Sequence, residues 1–291
     1  MITLHPRGAF SLTAAARFVE GFPGTRADRA PETLRYAWAV DGDWRTVQAT
    51  LHQDEHAVHA DLTGRPTASL GRLAARDLEQ MLCLDIDGTG FAALGDHDRV
   101  VGTLQKRFPG LRPVLFYTPY EAAAWTIISQ RIRMTQAATI KDRLAAELGE
   151  LGAFPAPARL AQLAAPQRGL TDRKIGQLRT LAASVEDGAL TRQQLRAMSY
   201  EDGLEHLQEL PGIGPFSAEL ILIRGVGHPD VLPDHDARLD EAIRSAYDTT
   251  DDTVIRSITN SWRPYRAWVA LLLRAWREAE TGEIAHGRRR A

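Results

Sequence analysis

Two glycines and two carboxylates in the last third of the chain have types and spacing that suggest chemistry. Gly212 and Gly214 follow a leucine-proline pair and precede an apolar helical pattern, which is typical of a tight hairpin between two helices. Such a hairpin exposes backbone N–H groups that can hold a phosphate. Asp234 and Asp236 follow about twenty residues later. The sequence therefore predicts a grip on a nucleic-acid backbone, with an acid held at a fixed distance from it.

The alternative for the hairpin is a purely structural turn, because glycine after a helix is a common C-cap. Two glycines so close together favour DNA binding, since each lets the backbone approach a ligand closely. The small residues Ser217 and Ala218 at the start of the second helix also favour DNA binding. The residues expected to contact DNA here are Gly212, Ile213, Gly214, Phe216 and Ser217.

The composition limits the class of protein only loosely. With 291 residues the chain is long enough for two domains. Its 35 basic and 37 acidic side chains argue against a protein that coats nucleic acid, but not against a grip through backbone amides. Cys83 is the only cysteine, which excludes disulfides, cysteine-based zinc sites and iron–sulfur clusters within the chain. Without a membrane-spanning run or a signal layout, we expect a cytoplasmic protein with no membrane contact.

The elements that must position these residues form two groups. Alternating polar and apolar residues predict strands at 34–40, 46–51 and 57–62, with one or two helices packed on the sheet. Helical spacing then continues almost to the end of the chain. The fold class expected is α+β, with an N-terminal antiparallel α/β domain over residues 1–75 and an all-α domain over residues 76–291.

Helices in the second part are expected over several segments. Thr118 is predicted to cap a long helix that begins near Tyr120. Further helices are predicted near 70–82, in a segment that begins at Phe91, and near 137–150, 158–165, 173–186, 203–209, 216–225, 236–246 and 263–279.

Five parts of the chain follow one another in the order of a known family. They are the N-terminal α/β region, residues 84–87, the helix at 125–131, residues 169–174 and the hairpin at about 203–225. In these parts the chain resembles the bacterial DNA-3-methyladenine glycosylase II (AlkA-like) family of helix-hairpin-helix DNA glycosylases. The resemblance covers nearly the whole chain. It implies a helix-hairpin-helix glycosylase domain at 76–291, and a monomer whose partner is double-stranded DNA with a damaged base.

The family places its catalytic acid at a helix start, with apolar residues three and seven positions later. From Asp236 these steps reach Leu239 and Ile243, whereas from Asp234 the second step reaches Glu241. Periodicity therefore favours Asp236 as the acid and leaves Asp234 as a helix cap. Asp234 remains the alternative acid.

The resemblance implies base excision repair of alkylated, 3-methyladenine-type bases. The enzyme would flip the base, hydrolyse the N-glycosidic bond and leave an abasic site. Bond cleavage builds positive charge on the sugar, and a buried anion stabilises that charge and orients the attacking water. Cationic alkylated purines leave readily, so a general acid is not needed to protonate them. The resemblance implies no cofactor for catalysis.

The hairpin also bears on the reaction type. Glycosylases of the wider helix-hairpin-helix superfamily that also cut the backbone carry a lysine nucleophile two positions after the second glycine, where this chain has Phe216. A monofunctional enzyme without lyase activity is therefore implied. Phe216 is also expected to stack on the flipped base, although packing in the core is the alternative.

Other site residues come from the resemblance alone. Gln130 and Arg131 lie where the family's helix meets the minor groove, and Arg131 takes the position of the wedge that fills the gap left by a flipped base. The family's wedge is often apolar, so a solvated arginine is the alternative. Candidate pocket aromatics are Phe18, Trp125, Phe216, Trp268 and Trp276, with plain core packing as the alternative.

Two further details follow from the alignment with the family. Trp276 matches the family's C-terminal pocket tryptophan only with a gap, whereas Arg274 matches without one. The backbone carbonyls of Gln208, Leu210 and Ile213 correspond to those that hold a monovalent cation in related hairpins.

Two other functions remain open from the sequence. A non-catalytic helix-hairpin-helix protein would use the hairpin as a phosphate clip, and would need no carboxylate after its second helix. A glycosylase for oxidised or deaminated bases would keep the fold and change the substrate. The missing iron–sulfur ligands and hairpin lysine weigh against the commonest enzymes of that kind.

Overall fold

The computed structural model describes residues 1–21, 33–64, 66–186, 190–234 and 236–282. Near the N-terminus it contains a four-stranded antiparallel sheet in the order β1-β4-β3-β2. The strands are β1 (Ile2–Leu4), β2 (Thr33–Ala39), β3 (Thr46–Gln53) and β4 (Val58–Leu62). The three predicted strands are present. The sequence missed β1, because three residues are too few to show alternation.

One face of this sheet forms a core with two helices, α1 (Leu12–Gly21) and α2 (Ala68–Met81). Leu34, Tyr36 and Trp38 alternate along β2 and are all buried, since successive side chains of a strand point to opposite faces. The remaining core positions come from the inner faces of α1 and α2 and from the chain around Val114 and Tyr117. The sheet is therefore stabilised by apolar burial on one side.

Helices make up the rest of the described chain. They are α3 (Thr89–His97), α4 (Arg99–Arg107), α5 (Pro119–Ser129), α6 (Met134–Leu148), α7 (Pro157–Leu160), α8 (Asp172–Glu186), α9 (Arg192–Ala197), α10 (Tyr200–Gln208), α11 (Pro215–Leu220), α12 (Ala237–Tyr247), α13 (Asp252–Ser261) and α14 (Arg266–Thr281). A π-helical segment, Ile221–Val226, continues α11. The sequence missed α4, α9 and α13, and the other predicted helices are present with shifted ends.

Helix α5 lies at the centre of the helical part. Every residue from Pro119 to Ile128 is buried, and the Thr118 hydroxyl accepts a hydrogen bond from the Glu121 amide, as the predicted cap requires. Its core cluster includes residues of α6, α8 and the π-helical segment. A separate cluster joins α4, α12 and α14. Residues of both clusters line one cavity.

Membrane insertion has no support among the described helices, since none of them combines the length and the apolar character that a bilayer crossing needs.

Candidate active site

In the hairpin between α10 and α11, the backbone conformation at the first glycine requires a residue without a Cβ. Gly212 has a φ of +91°, and a Cβ at this position would lie 2.5 Å from the Gln177 Nε2 atom. Gly214, which caps α11, has a φ of −99°, and a Cβ there would meet nothing within 4 Å. Ile213 between them is buried and anchors the turn. The predicted hairpin is therefore present, and only Gly212 is required by the fold itself.

The C-terminal end of α5 is held against this hairpin. The Gln130 side-chain amide donates to the Gly212 carbonyl at 2.7 Å. The Lys174 ammonium donates to the carbonyls of Ile128 and Gln130, each at 2.8 Å. Arg131 follows directly, exposed and with a left-handed backbone at φ +58°. The amide of Gln130, expected to contact DNA, thus makes a bond within the protein, and Arg131 projects from a rigid support.

Asp236 begins α12 as its N-cap. Its Oδ1 atom accepts hydrogen bonds from the Arg238 amide at 3.1 Å and the Leu239 amide at 3.2 Å. The prediction that Asp234 caps this helix is therefore wrong: α12 starts at Ala237, so the cap is the residue directly before it.

Asp236 also lines the cavity. Its Oδ2 atom lies 3.5 Å from the Arg274 Nε atom, and the side chains are 26% and 17% exposed. Asp234 is exposed, is not among the lining residues, and donates its backbone N–H to the Glu219 carboxylate at 3.4 Å. The structure therefore places the acid favoured by periodicity at the cavity wall, and the alternative acid outside it.

The cavity has a volume of about 540 Å³, which is ample for a nucleobase. Its walls are mainly aromatic and aliphatic. Phe216 is 55% exposed and lies at the mouth, whereas Trp125 and Trp268 are buried in the walls. The other large apolar lining residues are Phe116, Met134, Leu220, Ile223 and Leu271.

The predicted pocket aromatics divide into three groups. Trp125, Phe216 and Trp268 line the cavity. Trp276 does not: it packs against the cluster of α4, α12 and α14, so its prediction as a pocket residue is wrong. Arg274, two positions earlier on α14, lines the cavity instead, because residues two apart on a helix point about 200° apart around its axis. The side chain of Phe18 lies outside the described residues.

Sequence reasoning missed several polar groups of the cavity. Glu219, His228, Arg224 and Arg238 all line it. Burial lowers the pKa of Arg224 to about 10 and lowers that of His228. Glu219 lies three residues after Phe216 on the hairpin's second helix, and that spacing places both on one helical face.

The predicted cation site involves carbonyls of the hairpin turn. The Leu210 carbonyl accepts a hydrogen bond from the Ile213 amide at 3.0 Å, which leaves a second lone pair on that oxygen. The carbonyls of Gln208, Leu210 and Ile213 stay a prediction as cation ligands. Over the described ranges, no group of three or more His, Cys, Asp or Glu side chains is placed to hold a metal ion.

The fold, with a helical hairpin beside an acid-lined aromatic cavity and a small antiparallel sheet, is similar to that of solved DNA glycosylases. A solved structure, the 3-methyladenine DNA-glycosylase from Archaeoglobus fulgidus, matches with a TM-score of 0.76 and 21% identity. The match covers 95% of this chain and 98% of that chain.

Sequence relatives point to the same class. DNA-3-methyladenine glycosylase 2 of Escherichia coli is 28% identical over 88% of this chain and 91% of its own length. DNA-3-methyladenine glycosylase of Bacillus subtilis is 25% identical over 67% of this chain and 68% of its own length. Another Bacillus subtilis relative is matched over 61% of its length, and no protein-family model matches the chain. These matches support the AlkA-like family that the sequence resembles.

Proposed function

We propose that the protein is a monofunctional DNA glycosylase of base excision repair. It flips an alkylated, 3-methyladenine-type base into the cavity and hydrolyses the N-glycosidic bond. The observation that carries this proposal is the carboxylate of Asp236 in the wall of an aromatic cavity beside the hairpin. The names of the sequence relatives support the substrate class.

Each part of the site has a task in this reaction. The hairpin amides around Gly214 hold a phosphate of double-stranded DNA, and Arg131 enters the duplex where the base has left. The flipped base stacks on the ring of Phe216, in a cavity that Trp125 and Trp268 also line. Asp236 faces the anomeric carbon, stabilises its positive charge and orients the attacking water.

The product of the reaction depends on whether a lysine amine faces the cavity. Phe216 stands where bifunctional relatives carry a lysine, and no lysine is among the described lining residues. A Schiff base with the sugar therefore has no amine to form it, so the reaction ends at the abasic site.

The proposal includes the organisation of the protein. An N-terminal α/β domain at residues 1–75 precedes the helix-hairpin-helix glycosylase domain at 76–291, and a cytoplasmic monomer acts on the DNA. Within the part of the chain that the structure describes, every strand lies before residue 63 and all helices but α1 lie after residue 67, which supports this order. Catalysis needs no cofactor. A monovalent cation at the hairpin carbonyls would stiffen the phosphate grip.

Duplexes that each carry one defined alkylated base test the proposal. We expect release of the free base, seen by chromatography, and strand breaks that appear only after alkali treatment. An undamaged duplex is the control. Binding without base release would favour a phosphate clip, which has no use for a carboxylate in a cavity. Strand breaks without alkali would contradict the monofunctional assignment.

A further inference from the structure

The charged groups of the cavity do not match a site for cationic bases alone. Three arginines line it, Arg224, Arg238 and Arg274, against the carboxylates of Glu219 and Asp236. Guanidinium groups stay charged at neutral pH and repel a cation in a partly desolvated site. The arginine nearest to the acid therefore needs a separate explanation.

Arg274 lies beside Asp236 in the cavity wall. Its Nε atom is 3.5 Å from the Asp236 Oδ2 atom, and both side chains line the cavity. Because Asp236 Oδ1 accepts the first amides of α12, Oδ2 is the oxygen that remains for the sugar. A guanidinium carries five N–H donors in one plane, so the group that meets Oδ2 through Nε has four more N–H bonds on its two terminal nitrogens.

The charge of the base decides whether such a donor helps the reaction. When the bond from the anomeric carbon to the base nitrogen breaks, the electron pair stays on the base. A cationic alkylated purine leaves as a neutral molecule and needs no help. A neutral base leaves with negative charge until it takes a proton from the solvent, while water adds to the anomeric carbon and loses its proton. A donor that stabilises this charge acts in the transition state.

We propose that Arg274 contacts the flipped base and selects for substrates by the charge of the leaving group. It donates hydrogen bonds to an acceptor atom of a neutral alkylated base, and so accelerates its departure. It gives no such assistance to a cationic base. The inference rests on the proposed function, because it concerns the same cavity and the same bond.

Single-turnover excision by Arg274→Gln tests the inference on two duplexes. One carries 1,N6-ethenoadenine, a neutral base, and the other carries 7-methylguanine, a cationic base. We expect the rate on the neutral base to fall by about 100-fold or more, as for removal of one donor from a charge-stabilising site. The rate on the cationic base is expected to stay within about two-fold of the wild-type rate, or to rise, because a like charge has been removed.

Two further variants complete the experiment. Arg274→Lys keeps the charge without the planar fork, and we expect it to restore part of the rate on the neutral base. If Arg274→Gln does not fold, the Lys variant decides, through a lower rate on the neutral base only. Arg277→Gln is the matched control: it lies one turn on along α14 and pairs with Glu241 at 2.5 Å, away from the cavity lining.

The possible outcomes separate cleanly. Equal losses on both bases would overturn the inference, since Arg274 would then only position Asp236. Unchanged rates on both bases would also overturn it. If the wild-type protein excises 7-methylguanine but not the neutral base, the inference fails and the proposed function stands. If it excises neither base nor any other alkylated base, the proposed function itself fails.

Discussion

Asp236 serves a helix and the cavity at the same time. One carboxylate oxygen caps α12, and the other faces Arg274 in the cavity wall. Because the cap fixes the carboxylate to the start of a helix, the acid keeps its place without help from a mobile loop. Leu239 and Ile243 are buried, as the periodicity that favours Asp236 over Asp234 requires.

Two residue-level predictions failed for a common reason. The cap was assigned to Asp234, and the pocket position to Trp276 rather than Arg274. Both depend on where a helix begins and how it is rotated, and an error of two residues turns a side chain by about 200°. The sequence limits the residue that faces the cavity to a few neighbouring positions on a helix. The packing of α14 against α12 then determines which of these positions faces it.

Gly214→Ala tests the phosphate grip at single-residue level. Its φ is compatible with alanine and the added Cβ meets nothing within 4 Å, so we expect an unchanged melting temperature. Duplex affinity is expected to fall by about 10-fold or more, because a methyl group would hold a phosphate away from the amides. Fluorescence anisotropy and thermal melting measure the two effects.

The matched variant is Gly212→Ala, where a positive φ and Gln177 both oppose a Cβ. It is expected to lower the free energy of unfolding by about 1–2 kcal/mol or more. A normal affinity of Gly214→Ala would show that the hairpin does not approach the DNA backbone at this point.

At the scale of elements, three separate segments meet at the end of α5. Lys174 of α8 bonds two carbonyls of this end, and Gln130 bonds the hairpin. Burial lowers the pKa of Lys174, yet its two charge-assisted bonds satisfy the carbonyls that a helix end leaves open. Contacts such as these join residues more than forty positions apart, so no local pattern predicts them. The helices missed by the sequence, α4, α9 and α13, are short or closely follow another helix.

Lys174→Met tests whether this anchoring matters for base flipping. The methionine preserves the apolar stem but leaves two carbonyls without their donor, so we expect a modest loss of stability, of about 1–2 kcal/mol. Flipping, followed by 2-aminopurine fluorescence, is expected to weaken by about 10-fold while initial DNA binding persists. Lys106→Met on α4 is the control. Equal flipping in the two variants would contradict a positioning role.

For the whole molecule, the buried side chain of Arg192 joins the sheet to the helices. Its guanidinium donates to the carbonyls of Gly225, Phe116 and Tyr117 at 2.9–3.1 Å, and its amide donates to Asp41 at the end of β2. Helix α2, which packs on the sheet, runs through the boundary predicted at residue 75. The division at residue 75 stays a prediction. Helix α2 crosses it and packs in the core of the sheet, and the hydrogen bonds of Arg192 connect the sheet to the helical part.

The stability of this contact between the sheet and the helices depends on pH, because the buried carboxyl of Asp77 accepts a hydrogen bond from the Asp41 amide. Burial raises its pKa from 3.8 to about 6, although Trp38 Nε1 and the Asp41 amide donate to it. The folded state therefore binds more protons than the unfolded state between these values, so its stability falls as pH rises through that window. The change for this group is about 3 kcal/mol at most.

Asp77→Asn is expected to remove the fall in stability that this carboxyl causes as pH rises from 3.8 to about 6. Its amide oxygen still accepts both hydrogen bonds, so the variant should be no less stable than the wild-type protein at pH 8. Urea unfolding at pH 5 and pH 8 measures the difference, with the exposed Asp61→Asn as control. A wild-type slope in Asp77→Asn would show that this carboxyl does not titrate in the window.

Asp236 is proposed as the acid that promotes cleavage of the glycosidic bond. Single-turnover release of 7-methylguanine by Asp236→Asn tests it most directly, with Asp234→Asn as the matched control. Asparagine caps a helix as well as aspartate does, so folding and duplex affinity should persist while the rate falls by about 100-fold or more. Asp234→Asn should retain the wild-type rate. A fully active Asp236→Asn, or an inactive Asp234→Asn beside it, would contradict the account.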